Sequence, residues 1–267
     1  MARMLVLGDT HGDVKFLERA CRMAVKSDCD RIVQVGDWGF LWPGAKNDRL
    51  KAITNVLAQF DLHMFFLDGN HEWYGRLEEM GATPDAPHMV ALSDRVAYLP
   101  RGFTWAWGGV TFMSLGGAFS IDQDQRTKFI DYWPQETIRY ADADRAIAAG
   151  HVDVMFTHDV PEGVVKLEAM LHRASDHYRR SYGAKWNYKL DPGSRANRKT
   201  LRAVVDEVQP FLLIHGHYHW RYDDTLVGED YTTEVRGLDC NGSGERAWGV
   251  VDTADVLRWR LVVDDDE

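Results

Sequence analysis

The alternation of apolar and polar positions divides the chain into three stretches. Residues 4–8 form a short apolar run that ends just before Asp9. Residues 13–26 follow at helical spacing, with Val14, Leu17, Ala20, Cys21, Ala24 and Val25 on one face. A β-branched run over 31–36 ends at Asp37. A second helical pattern covers 47–60 through Leu50, Ile53, Val56, Leu57 and Phe60. Residues 62–67 read as a third strand, and it runs into Asp68-Gly-Asn-His-Glu72. Strands alternating with helices predict βαβ units and a largely parallel sheet. In such a sheet ligands gather beyond the carboxyl ends of the strands, where Asp9, Asp37 and Asn70 fall.

The middle of the chain changes character. Residues 96–99, 103–107 and 110–115 predict successive short strands with glycine turns, and 137–149 a helix. Residues 152–157 form an apolar strand ending at His158. A polar, aromatic and basic stretch over about 163–197 reads as an inserted helix and loop, with Pro192-Gly193 as a breaker. A helix over 199–208 and a strand over 211–214 deliver Ile214-His-Gly-His-Tyr-His219. Residues 221–263 read as antiparallel strands, followed by a frayed acidic end. There is no internal repeat and no long linker, so the expectation is one domain over 1–267.

Composition narrows the function classes. The 267 residues are 45% hydrophobic and 27% charged, enough to bury a core. The net charge of −10 excludes an extended nucleic-acid footprint, which needs a basic surface. No apolar run is long enough to span a bilayer, and the first apolar run is too short for a secretory signal. A cytoplasmic location is the default expectation. Cys21, Cys29 and Cys240 have no zinc spacing and read as reduced thiols.

The polar residues at the strand ends carry the chemistry: Asp9-Thr-His11, Gly36-Asp37, Gly69-Asn70-His71-Glu72, His158 and Gly216-His217-Tyr-His219. Mixed carboxylate, amide and imidazole donors suit borderline-to-hard divalent ions such as Mn²⁺, Zn²⁺ and Fe²⁺. There are too many donors for one tetrahedral ion and about enough for two. A two-ion site needs a bridging oxygen ligand and clamps the attacking and leaving oxygens of an in-line displacement. Alternate residues of an extended segment point the same way, so both members of Asp9-x-His11 and His217-x-His219 can reach one cluster.

These five motifs, in this order from Asp9 to His219, resemble the calcineurin-like metallophosphoesterase superfamily. The resemblance implies a four-layer α/β/β/α sandwich with mixed sheets and a dinuclear metal centre. It implies that Asp9, His11 and His219 bind the first metal and that Asp37 bridges both. Asn70, His158 and His217 would bind the second. Mn²⁺ is the first choice of ion, with Fe²⁺, Zn²⁺ and Ni²⁺ as alternatives. A bridging hydroxide would attack phosphorus in line. His71 would lie beside the phosphate, stabilising charge or protonating the leaving oxygen. Glu72 would orient its neighbours. His215 matches no ligand position and reads as a buried, hydrogen-bonded histidine.

The substrate is the open question. Gly36-Asp37-Trp38-Gly39-Phe40 lacks the second aspartate and the arginine of the Ser/Thr protein phosphatases, which speaks against that branch. Trp38 and Trp42 follow Asp37 and could stack a nucleobase or pack on the sheet edge. Arg195 and Arg198 are candidates for holding phosphate, within an insertion whose Tyr182, Lys185, Trp186, Tyr188 and Lys189 could form a lid or a solvated surface. The reading is a phosphodiesterase of small esters, cyclic nucleotides or 2′,3′-cyclic phosphates among them. A phosphomonoesterase or dinucleoside polyphosphate hydrolase is the alternative. A non-catalytic scaffold comes last, because every expected donor and His71 are present.

Overall fold

The computed structural model describes residues 2–44, 49–182 and 191–257, with only the backbone of 175–182 and 191. Lys185, Trp186, Tyr188, Lys189, the side chain of Tyr182 and the acidic C-terminal end lie outside the described part. Among the described residues no helix is long and apolar enough to cross a membrane.

The first sheet is built from β1 (Arg3–Leu7), β2 (Arg31–Gln34), β3 (His63–Phe66), β4 (Val90–Ala91), β5 (Val96–Tyr98) and a last strand that returns from the far end of the chain. On its outer side lie α1 (Val14–Lys26), α2 (Leu50–Gln59) and the short α3 (Tyr74–Glu79). The second sheet contains β6 (Phe103–Trp107), β7 (Val110–Leu115), β8 (Val154–Thr157), β9 (Leu212–His215), β10 (Tyr222–Val227) and β11 (Thr232–Gly237). Its helices are α4 (Tyr140–Ala148), α5 (Val165–Tyr182) and α6 (Asp191–Val208). The returning strand, β12 (Trp248–Asp252), pairs antiparallel with β1. The strand orders are β12-β1-β2-β3-β5-β4 and β10-β11-β9-β8-β7-β6. Each sheet has a parallel centre and antiparallel edges, so the sheets are mixed.

Strand parity creates the layers. Leu5 and Leu7 of β1 face one way and pack on Phe16, Leu17, Ile53 and Leu57 of α1 and α2. Met4 and Val6 face the other way and meet Phe112, Phe156, Leu212 and Ile214 between the sheets. In the second sheet Met113, Met155 and Leu213 pack on Ala143, Ala146, Leu201 and Val204 of α4 and α6. The result is the α/β/β/α sandwich, with its inner strands buried on both faces.

Two local expectations change. The helix predicted over 199–208 begins at Asp191 and runs through Pro192-Gly193. Proline in a first helical turn sacrifices no hydrogen bond. Gly193 leaves room for the Phe119 ring, which a Cβ there would meet at 2.3 Å. The helix predicted over 137–149 shortens to Tyr140–Ala148, after a single 3-10 turn at Pro134–Glu136.

The two sheets are tied near the site by a buried ionic knot that the sequence did not announce. Asp68, just past β3, accepts from Tyr74 Oη and Tyr98 Oη at 2.8 Å each and from Arg101 Nε at 2.9 Å. Arg101 also reaches Asp142 of α4 at 3.0 Å and the carbonyl of Thr137 at 2.7 Å. Arg101, Asp68 and Asp142 side chains are all fully buried. Removing one partner of such a group leaves a charge with no solvent to stabilise it. Arg101→Leu is expected to lose about 3–5 kcal/mol of unfolding free energy, read as a lowered urea midpoint. An unchanged midpoint would show that the knot contributes nothing to stability.

Candidate metal centre

The polar strand ends converge. Asp9 and Asp37, which follow β1 and β2, are both buried. The carbonyl of Asp37 accepts from the amides of Thr10 and His11 at 3.1 and 3.0 Å, so the first two motif loops are stitched together. One ligand atom from each of Asp9, His11, Asp37 and His219 falls within a span of 4.8 Å. His219 Nε2 lies 3.0 Å from Asp9 Oδ2, and His11 Nε2 lies 3.7 Å from Asp37 Oδ2. The other oxygen of Asp37 turns the opposite way, 3.2 Å from His158 Nε2. His158 Nε2 is in turn 3.1 Å from Asn70 Oδ1, and its ring lies 5.0 Å from that of His217. The seven residues therefore form two groups that share one carboxylate.

The backbone is strained where these groups are presented. His11, Asp37, His217 and His219 all have positive φ, at 44°, 53°, 69° and 54°. Non-glycine residues rarely adopt this region, and such strain collects at functional sites. Gly216 and Gly69 lie so close to the carboxylates that a Cβ would meet Asp9 Oδ1 at 2.1 Å and Asp37 Oδ1 at 2.2 Å.

Hydrogen bonds from outside the group set the imidazoles. His158 Nδ1 faces the carbonyl of Val35 at 2.8 Å, and His11 Nδ1 faces Asn241 Oδ1 at 2.8 Å. Each contact occupies Nδ1 and leaves Nε2 turned inward, the arrangement that metal-ligating histidines use. The donors also suit divalent ions: carboxylate, amide and imidazole together, with the Nε2 atoms aimed at the carboxylates. The residues thus fit a metal site. Burial alone would lower the pKa of His11, but the hydrogen bond and charge of Asp37 raise it to about 9. His158 is raised to about 10 by Asp37 against the same effect of burial. Burial, with the nearby charge of His158, lowers His217 to about 3. Burial opposes ionisation of Asp37, yet His158, His71 and His11 hold its carboxyl well below its usual range.

The other candidates from the sequence sort by environment. Glu72 accepts from the amides of Trp38 at 2.7 Å and Gly39 at 3.3 Å, so it clamps the loop after Asp37. Burial and Asp37 push its pKa up to about 8. Asp159 accepts from Tyr218 Oη at 2.8 Å and from Asn197 Nδ2 at 2.6 Å, which fixes the loop between His217 and His219 to α6. His215 is buried against Tyr222 Oη at 2.6 Å, and burial lowers it to about 4. Asp68 turns to Arg101.

Of the substrate expectations, the one for Trp38 needs correction. Trp38 is fully buried, stacked on Phe66 at 4.1 Å with Nε1 directed to Met64, so it is a core side chain with no face for a ligand. An apolar residue beside a sheet end had two destinations, and packing won. Arg195 donates to Glu162 at 2.6 Å and Arg198 pairs with Glu168. Their guanidinium groups are engaged by carboxylates that the local sequence pattern did not reveal.

Trp42 is the aromatic that reaches the site. With His11, Gly39, Arg49 and His71 it lines an open cleft of about 290 Å³. Its edge meets the buried Trp133, with ring centroids 6.4 Å apart. The sequence reading also missed Asn241, Ser120 and Arg126, which carry no motif of their own. Ser120 Oγ accepts from Asn70 Nδ2 at 3.2 Å. Cys240 also comes within 4.8 Å of His11 and His219, although no cysteine lies in the motifs.

Residues 2–221 match the model of the calcineurin-like phosphoesterase family, and the chain belongs to that family. Membership implies a metal-binding phosphoester hydrolase. No curated protein matches the sequence. Among solved structures, TT1561 of Thermus thermophilus has a TM-score of 0.53 at 12% identity, over 94% of this chain and 98% of that one, and so has a similar fold. A dimetal phosphatase from Danio rerio reaches 0.48 at 12% identity, over 93% and 91%. An archaeal phosphodiesterase reaches 0.42 at 12% identity, over 95% and 94%. Likeness at those two scores is too slight to argue from.

The raised values of His11 and His158 make cation binding compete with protons. At pH 7 binding should release protons, and affinity should climb as the pH rises toward about 9 and 10. Titration calorimetry in buffers of different ionisation enthalpy reads both. Flat affinity from pH 7 to 9 with no proton release would contradict these assignments.

Proposed function

We propose that the chain hydrolyses small phosphodiesters, cyclic nucleotides or 2′,3′-cyclic phosphates among them, with two divalent ions held at this site, Mn²⁺ first among the candidates. The observation that carries the reading is the divided carboxylate of Asp37, one oxygen toward His11 and the other toward His158. Asp9, His11 and His219 would hold one ion, and Asn70, His158 and His217 the other, with Asp37 common to both. When bound, the two ions supply Lewis acidity toward the phosphoryl oxygens and a nucleophile at neutral pH.

The protein's own groups do the rest. The backbone amide of His71 donates to Asp37 Oδ1 at 2.7 Å, which fixes the residue to the bridging carboxylate. Its ring sits at the cleft, 6.2 Å from that of His11, and can meet the oxygens of a bound phosphate. Burial lowers its pKa, while the charge of Asp37 opposes that shift. Trp42 offers a partly exposed indole at the same cleft, an apolar wall for the organic half of an ester. Arg49, on the same wall, supplies a cation for an anionic ester group.

The test is turnover of bis-p-nitrophenyl phosphate against p-nitrophenyl phosphate in Mn²⁺-loaded protein, with Asp37→Ala as the blank. Diester turnover that disappears in the blank is the expected result; a monoester preference would move the reading to a phosphomonoesterase. His71→Ala should keep its metals and lose roughly 10²- to 10⁴-fold in turnover if the ring acts as general acid. In that case the loss grows with poorer leaving groups; equal losses across leaving groups mark electrostatic stabilisation instead.

Trp42→Ala should weaken binding of a nucleoside 2′,3′-cyclic phosphate by about 1–3 kcal/mol, the worth of one base stacked on an aromatic ring. Inhibition constants for nucleoside monophosphates in the two proteins would show it. Equal constants would remove the nucleobase from the substrate.

A further inference from the structure

The histidine of the third motif has a partner that no motif provides. Ser120, Asp122 and Arg126 lie on the segment between β7 and α4, and one 3-10 turn, Gln123–Gln125, brings Asp122 and Arg126 onto the same side. Arg126 Nε and Nη2 both donate to Asp122, at 3.0 and 2.8 Å. Its Nη1 is 3.4 Å from Ser120 Oγ and 4.0 Å from Glu136. So held, the Arg126 side chain is only 9% exposed, and its Nη2 lies 2.9 Å from His71 Nε2 and 3.2 Å from His71 Nδ1.

We propose that Arg126 is a positioning residue for His71, holding the imidazole at the cleft edge through its own anchor on Asp122. The inference rests on the role given to His71 above. Nη2 lies within 3.2 Å of both ring nitrogens, so the guanidinium packs against the imidazole and fixes where the ring sits at the cleft edge. Its planar fork is rigid once two of its nitrogens are fixed on a carboxylate. The same segment reaches the neighbouring residue as well: Ser120 accepts from the amide of Asn70 and donates to Glu136. Both members of Asn70-His71 are therefore supported by one stretch of chain, Ser120 to Arg126.

Two measurements test the proposal. The first needs no turnover: ¹⁵N–¹H correlation spectra of the histidine rings in metal-free protein. Arg126→Ala should shift the His71 ring signals and broaden them as the ring loses its support, and Arg126→Lys should restore them in part. Unchanged His71 ring signals in Arg126→Ala would overturn the proposal. The second is a double-mutant cycle. Arg126→Ala should lower kcat by about 10- to 100-fold, the usual effect of removing a group that orients an active residue, with KM and metal content nearly unchanged. In a His71→Ala background the same substitution should have no further effect. Losses that simply multiply, or a rise in KM and in the inhibition constant of inorganic phosphate, would mean that Arg126 touches the substrate itself and would overturn the indirect role. A fully active His71→Ala protein would instead refute the catalytic part given to His71, and the ring spectra would still decide this proposal.

Discussion

Asp37 is a carboxylate buried between two sheets, and a buried charge is stable only when other groups compensate it. Its carbonyl is tied to the Thr10 and His11 amides, one oxygen accepts from the His71 amide, and both oxygens face imidazoles. Its backbone is forced to a positive φ to reach that position. Glu72 holds the next two amides in place, so the loop cannot relax. Four of the five motifs thus meet at one side chain. The strand order, the glycines under the carboxylates and the strained histidines all follow from bringing partners to it.

Much of this was legible in the sequence because it rests on short-range rules. Apolar runs ending in Asp9, Asp37 and Asn70 placed those residues at the carboxyl ends of parallel strands, where the fold has them. The parity rule for an extended segment does not hold at the histidines: His11, His217 and His219 have positive φ, and His217 lies beside His158 while His219 meets Asp9. The family resemblance supplied the four layers, which the buried residues of β1 and β8 then display. What was not legible depends on long-range partners. Asn241 orients a histidine 230 positions earlier, and Arg101 joins carboxylates 33 and 41 positions away. No local pattern encodes those meetings.

The candidate substrate residues follow the same logic. Trp38 and Trp42 are four positions apart in one loop, and both are large aromatics. Trp38 found Phe66 and Phe40 beside the strand ends and was absorbed into the core. Trp42 lies one loop step further out and stays half-buried at the cleft. Arg195 and Arg198 carry the charge that a phosphate would want, and each pairs with a carboxylate, Glu162 and Glu168. A basic residue in an insertion reports only that a counter-charge is needed, and the fold decides which one.

The position of β12 has a consequence for how the molecule is made. β1 leaves the ribosome before the other described strands, but one of its edges pairs with residues 248–252. At roughly 5–20 residues per second, that edge waits on the order of ten to fifty seconds for its partner. Throughout that time a strand with the sequence Met-Leu-Val-Leu offers free amides and carbonyls to any other chain. Asn241 reaches His11 in the same late event, so the site and the protected edge are completed together. A nascent chain is therefore exposed to strand-mediated misassembly for as long as the residues between β1 and β12 take to be made, and its yield should depend on how well the cell shields that edge.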